Sequence, residues 1–205
     1  RGKLSTHAKF GESTAILAGN SLLTIAFEIL SQPTLKIDYK SKINLISLLS
    51  KSAGHTGIAG GQYSDLKFEK KRTSFKKIVD MQINKTGKLF SFCCMAPVIL
   101  SKKKKYLNLF NSIGSKIGLL FQIADDLIDY SGSTKKAGKK TRKDLKKGKA
   151  TLIGLLGYKN TVKYGDRLKL EIINKIKKFG NKNKDLSDTI NYILIRTKWK
   201  KIINF

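Results

Sequence analysis

The chain has 205 residues, 40% of them hydrophobic, which suffices for one domain with a substantial core and is too apolar for a disordered segment. Its formal charge of +28 rests on 37 lysines and only 5 arginines. That makeup argues against a nucleic-acid reader, because arginine is the residue that forks onto phosphates and base edges. With only two prolines and many Leu, Ile and Lys residues, the expectation is a single all-α domain over residues 1–205.

Residues 1–12 (RGKLSTHAKFGE) read as polar and irregular, leading into a helix over 13–30 with Ser13 as its N-cap and Gln32-Pro33 as its stop. The apolar stretch 15–30 is interrupted by Gly19, Asn20, Ser21, Thr24 and Glu28, so it is expected to be a buried helix and not a membrane span. Ile43, Ile46, Leu49 and Ala53 recur at helical spacing within 41–59. GIAGGQYSDL follows, where Gly57, Gly60 and Gly61 permit close backbone approach. Residues 73–100 form a long helical segment with a possible break at Pro97, and it carries the adjacent thiols Cys93 and Cys94. These two give neither a zinc pattern nor a disulfide framework, and read as apolar thiols in a reducing cytoplasm.

KKKK at 102–105 is a charged turn before a helix over 105–130. Leu109, Ile113, Ile117, Leu120, Ile123 and Leu127 step by three and four, the signature of a core-facing stripe. Residues 131–149 (SGSTKKAGKKTRKDLKKGK) are a basic, glycine-punctuated loop, and amphipathic segments follow near 160–179 and 185–202. The GKAT of 148–151 is not a phosphate-binding P-loop, since that pattern has a leading glycine and Ser or Thr directly after Lys. Because the first residue is arginine, the chain is expected to be a fragment or a processed product, with any targeting peptide upstream.

The chemistry concentrates in FQIADDLID, residues 121–129. Asp125 and Asp129, four residues apart, are expected to share a helix face with Gln122, and Asp126 to sit about 100° round. Two carboxylates about 5–6 Å apart repel by roughly 3 kcal/mol at an effective dielectric near 20, so they need a cation or a proton. Mg²⁺ takes such oxygen ligands and bridges them to phosphates. Taken alone, D-D-x-x-D also fits an exposed acidic edge. Nine of the fifteen residues from 135 to 149 are Lys or Arg: Lys135, Lys136, Lys139, Lys140, Arg142, Lys143, Lys146, Lys147 and Lys149. Cations beside carboxylates that can hold a metal suit a diphosphate gripped from two sides.

FQIADDLID followed by GKKTRKDLKKGKATL resembles the second aspartate-rich region of the trans-polyprenyl diphosphate synthases. In chain order, RGKLSTHAKFGESTAILAGNSLLTIAFEIL is similar to the stretch after that family's first aspartate-rich motif, SAGHTGIAGGQYSDL to its G-G-Q-x-x-D-L helix, NKTGKLF to its K-T-G motif, and YILIRTK to its C-terminal helix. The G-G-Q-x-x-D-L form resembles the short-chain farnesyl and geranylgeranyl enzymes.

The resemblance implies an antiparallel helical bundle around a central cavity, the isoprenoid synthase type, assembled as a cytoplasmic homodimer. It implies a prenyltransferase in which an allylic diphosphate, clamped by three Mg²⁺, ionises and is attacked by isopentenyl diphosphate. Proton loss then yields farnesyl or geranylgeranyl diphosphate. Position by position, it implies metal binding by Asp125, Asp126 and Asp129, and allylic diphosphate contacts from Lys85 and Lys139. Thr86 and Gln122 would line the allylic site, Lys149 would join the substrate-binding cations, and Arg1 would hold isopentenyl diphosphate. His7 is read as structural.

Leu4, Arg142 and Ile153 depart from the family's usual Pro, Gly and Pro. The family's first aspartate motif would precede Arg1, so the chain alone is expected to be inactive and its product length is not legible. Two alternatives stand beside the enzyme: a non-catalytic partner subunit of a heteromeric synthase, and a helical RNA-binding protein.

Overall fold

In the computed structural model, which describes residues 3–131 and 148–198 (backbone alone at 196–198), every regular element is helical. A short helix α1 (Thr6–Phe10) occupies part of the segment expected to be irregular. Gly11, at φ 86°, turns the chain into α2 (Glu12–Ser31). Gly11, not Ser13, is the N-cap of α2, and Ser13 lies inside the first turn. Helix α3 (Tyr39–Ala53) starts at Asp38, whose side chain accepts from the Ser41 N–H at 3.0 Å and so satisfies a donor the helix cannot.

Helices α4 (Ile58–Lys67) and α5 (Phe75–Gln82) come next. A π turn, Ile83–Gly87, leads from α5 into α6 (Lys88–Leu100). The interruption in 73–100 is this π turn. Pro97 falls in the last turn of α6, where the helix runs on to Leu100. Helix α7 (Leu107–Ser131) spans the expected stripe, followed by α8 (Leu152–Leu156), α9 (Tyr158–Ile176) and α10 (Lys184–Lys198). The five-residue α8 starts where the Thr151 hydroxyl accepts from Gly154 N–H at 3.1 Å; no apolar period marks so short a helix.

Helices α6 and α7 form an antiparallel hairpin. A Cβ on Gly118 would fall 2.4 Å from the Cα of Gly87, and one on Gly114 would fall 2.5 Å from the Cα of Ser91, so the pairing descends along one helix as it climbs the other. At the hairpin's closed end Pro97, Val98, Tyr106 and Phe110 share a cavity of about 400 Å³. Helix α9 also runs antiparallel to α7: Gly165 faces Ile123, Glu171 pairs with Lys116, and Lys175 donates to Ser112.

The core lies along α7. Ile113, Ile117, Leu120, Ile123 and Leu127 are buried as the stripe requires. They pack with Ile78 and Met81 of α5, Leu152 of α8, Ile172 and Ile176 of α9, and Ile190 of α10. Each such side chain contributes about 1.5–3 kcal/mol of burial energy, which fixes the rotation of α7 against its neighbours.

One expectation is overturned. Helix α2 contains no buried residue, although its apolar stretch reads as core. It packs on α1 and α3 only along part of its surface, leaving Leu17, Leu22 and Ile29 exposed. By length and composition it is the one helix among the described residues able to cross a membrane, a test that core helices of soluble proteins also pass. In α3 the buried face is Ser41, Leu45, Leu49 and Ser52, while Ile43 is exposed.

Candidate functional site

The site is built where α4, the π turn and α7 meet. A Cβ at Gly61 would lie 2.2 Å from the backbone nitrogen of Lys85, so only glycine lets α4 cross this close. The crossing brings Asp65, one turn further along α4, to Lys85: the ammonium lies 2.6 Å from Asp65 Oδ2. Asp65 is buried and the Lys85 side chain about a quarter exposed, so the pair sits at the rim of the interior. The π turn widens the helix by one residue, and such bulges recur at functional sites because they re-aim successive side chains.

Across the turn, α7 presents Gln122, Asp126 and Asp129, residues spaced by four and three on one face. Thr86 donates its hydroxyl to Gln122 Oε1 at 3.2 Å, and Gln122 Nε2 donates to Asp126 Oδ1 at 2.8 Å. Gln82, at the end of α5, donates through Nε2 to Asp126 Oδ2 at 3.1 Å. Both oxygens of a buried carboxylate therefore receive an amide N–H. Asp126 is 4% exposed and Asp129 5%.

Asp126 and Asp129 are buried and Asp125, about 100° round the helix from Asp126, is half-buried; as residues four apart, Asp125 and Asp129 stay on one side of α7, as the spacing requires. The rotation is set by the α7 stripe and by the glycine contacts of Gly114 and Gly118 with α6 and the π turn, which spacing alone does not encode.

Asp65, Gln82, Lys85, Gln122, Asp126, Lys149 and Thr151 surround a small cavity of about 20 Å³. A second, of about 80 Å³, lies between Asp126, Asp129, Tyr130, Lys149 and Thr151. Lys149 lines both. The carbonyl of Gly148, at φ 64°, accepts from Lys70 N–H at 2.8 Å and fixes the start of the described segment that carries Lys149. The structure thus brings together Lys85, Thr86, Gln122, Asp126, Asp129 and Lys149, with Asp125 half-buried beside Asp126. Arg1 and Lys139 lie outside the described residues. Two site residues were not singled out from the sequence. Asp65 is the aspartate of the G-G-Q-x-x-D-L segment, and Gln82 is a polar residue between Met81 and Ile83, four positions before Thr86.

Among the described residues no cluster of three or more Asp, Glu, His or Cys side chains is gathered to hold a metal by itself. The donor set nonetheless suits a hard cation. Two buried carboxylates adjoin the site, and Gln82 Oε1, a buried amide oxygen, has no hydrogen-bond partner among the described residues. Mg²⁺ is held in this manner, by one or two carboxylates with waters and phosphate oxygens completing its shell.

A family model described as polyprenyl synthetase matches residues 1–193. The chain belongs to the polyprenyl synthetase family. Farnesyl diphosphate synthase of Micrococcus luteus is 35% identical over 199 residues, covering 97% of this chain and 68% of that protein. Geranylgeranyl diphosphate synthase of Cyanophora paradoxa is 34% identical, over 96% of this chain and 66% of its own length. Among solved structures, geranyltransferase from Helicobacter pylori complexed with magnesium and isoprenyl diphosphate superposes with a TM-score of 0.81 at 29% identity, covering 97% of this chain and 65% of that one. This polyprenyl synthetase chain spans about two thirds of the length of these relatives.

Proposed function

We propose that the protein is a short-chain prenyltransferase that condenses isopentenyl diphosphate with dimethylallyl or geranyl diphosphate to give farnesyl or geranylgeranyl diphosphate. The observation that carries this reading is one buried carboxylate, Asp126, held by two glutamine amides and sharing a small cavity with Lys85 and Lys149. A cluster of opposite charges at the end of a bundle is what a metal-bridged diphosphate needs.

Asp126 and Asp129, with Asp125 beside them, are the residues that would hold Mg²⁺, which when bound neutralises charge developing on the diphosphate leaving group. Lys85 binds diphosphate oxygens, aimed by Asp65, with Lys139 and Lys149 supplying further cations. Thr86 and Gln122 orient the allylic substrate beside Asp126, and Arg1 binds isopentenyl diphosphate. The apolar side chains of α7 keep water from the reacting carbons, which protects a carbocation from hydrolysis. The retained carboxylates and lysines favour an active subunit over a non-catalytic partner. The protein acts in the cytoplasm as a homodimer, with no nucleic-acid partner and no membrane span.

The test is to incubate purified protein, together with whatever its gene encodes before Arg1, with geranyl diphosphate, isopentenyl diphosphate and Mg²⁺. A prenyl diphosphate five carbons longer than the allylic substrate is expected. Folded protein that yields no elongated product would overturn the reading.

A further inference from the structure

Gln82 stands at the junction of α5 and the π turn, is 3% exposed, and has two functional ends in different surroundings. Its Nε2 donates to Asp126 Oδ2 at 3.1 Å. Its Oε1 is buried and without a hydrogen-bond partner among the described residues, and the side chain borders the cavity of about 20 Å³ beside Lys85 and Lys149. An orphaned buried acceptor costs about 1–3 kcal/mol, so a packing role alone would be served better by methionine or leucine. The cavity exceeds the roughly 10–15 Å³ needed for a water.

We propose that Gln82 is a positioning residue for Asp126: its amide nitrogen orients the carboxylate, and its amide oxygen accepts a hydrogen bond from a water brought in with the ligand. Gln122 fixes the other carboxylate oxygen from within α7, whereas Gln82 fixes it from a different element. The two together define the plane of the carboxylate, because each oxygen is held from its own side. A carboxylate held in one plane loses less freedom when a cation binds, which is the benefit of preorganisation. The role of Gln82 in ligand binding rests on the diphosphate reading above; the Gln82–Asp126 bond itself does not.

The chain holds four glutamines, and Gln32 and Gln62 are exposed. Selective ¹⁵N-glutamine labelling therefore resolves the side-chain amides of Gln82 and Gln122 against two solvent references. The test compares wild type with Gln82→Met, which keeps length and packing, and Gln82→Glu, which aims an acceptor at an acceptor. In both variants the Gln122 side-chain amide should shift while Gln32 and Gln62 stay in place. Calorimetric affinity for inorganic pyrophosphate with Mg²⁺ should fall about tenfold or more, the usual consequence of losing a hydrogen bond to a charged group. An unmoved Gln122 amide, or an affinity within twofold of wild type in both variants, overturns the proposal. Wild type that binds no pyrophosphate with Mg²⁺ overturns the diphosphate reading and with it the ligand-binding part of the proposal, while the amide shifts still decide whether Gln82 orients Asp126.

Discussion

The ammonium of Lys85 lies 2.6 Å from the carboxylate of Asp65, twenty residues earlier in the chain. An ammonium has three N–H donors, so Lys85 can serve Asp65 and a ligand oxygen at once, with Asp65 setting its direction. Asp65→Asn should cost about 1–2 kcal/mol of stability, at the low end for a buried pair because Lys85 is partly exposed. It should also weaken binding of an allylic diphosphate by about tenfold. Thermal melts and calorimetry check both, and unchanged binding would show that Asp65 does not aim Lys85.

Gly61 carries the crossing of α4 over the π turn. A methyl there meets the backbone nitrogen of Lys85 at 2.2 Å and its Cα at 2.5 Å, and backbone cannot rotate aside. Gly61→Ala is expected to destabilise the protein by about 1–3 kcal/mol, the range for overpacking. The melting temperature should fall by several degrees, and the Asp65–Lys85 pair should part. A variant melting with wild type would mean that the two backbones are not in contact.

Glu171 gives a pH dependence whose sign can be stated. Lys116 of α7 donates to its carboxylate, and that hydrogen bond, helped by the charges of Lys116 and Lys175, holds the carboxyl below its usual value against the opposing effect of burial. A carboxyl depressed by folding stabilises the protein above its unfolded-state value and loses that contribution as pH falls through its folded-state value. The Glu171 side chain is 47% exposed, so the contribution is screened to less than about 1 kcal/mol. Glu171→Gln should melt slightly lower than wild type at neutral pH. The difference should close in acid, once both states bind the proton.

The adjacent thiols should react at different rates. Burial pushes Cys94 up to about 11, with Cys93 adding to the rise, while the Cys93 side chain is exposed. At about pH 8 the Cys94 thiolate is roughly one part in a thousand, and the thiolate is the nucleophile. Iodoacetamide followed by peptide mass spectrometry should find Cys93 alkylated first. Equal rates would contradict the burial of Cys94.

The α7 stripe shows how far the sequence could be read. Six apolar residues at helical spacing announce the helix, and five of them are buried. The adjoining carboxylates announce the chemistry. How deeply each of the three aspartates is set depends on the rotation of α7, which Gly114 and Gly118 help fix against α6 and the π turn, and local spacing holds no record of it. Helix α2 shows the same limit from the other side. Apolar content reports that a surface favours burial, and Leu17, Leu22 and Ile29 remain exposed because no described element covers them. Gln82 escaped notice because a single glutamine in an amphipathic helix carries no pattern; its meaning comes from Asp126, which lies 44 residues away.

The account rests on Asp126 and its neighbours gripping a metal-bridged diphosphate. A crystal of the protein grown with Mg²⁺ and a non-hydrolysable allylic diphosphate analogue tests this directly. The expected density places metal against the carboxylate oxygens of the 125–129 segment, with Lys85 on the diphosphate. Analogue bound elsewhere, with those oxygens uncoordinated, would contradict it.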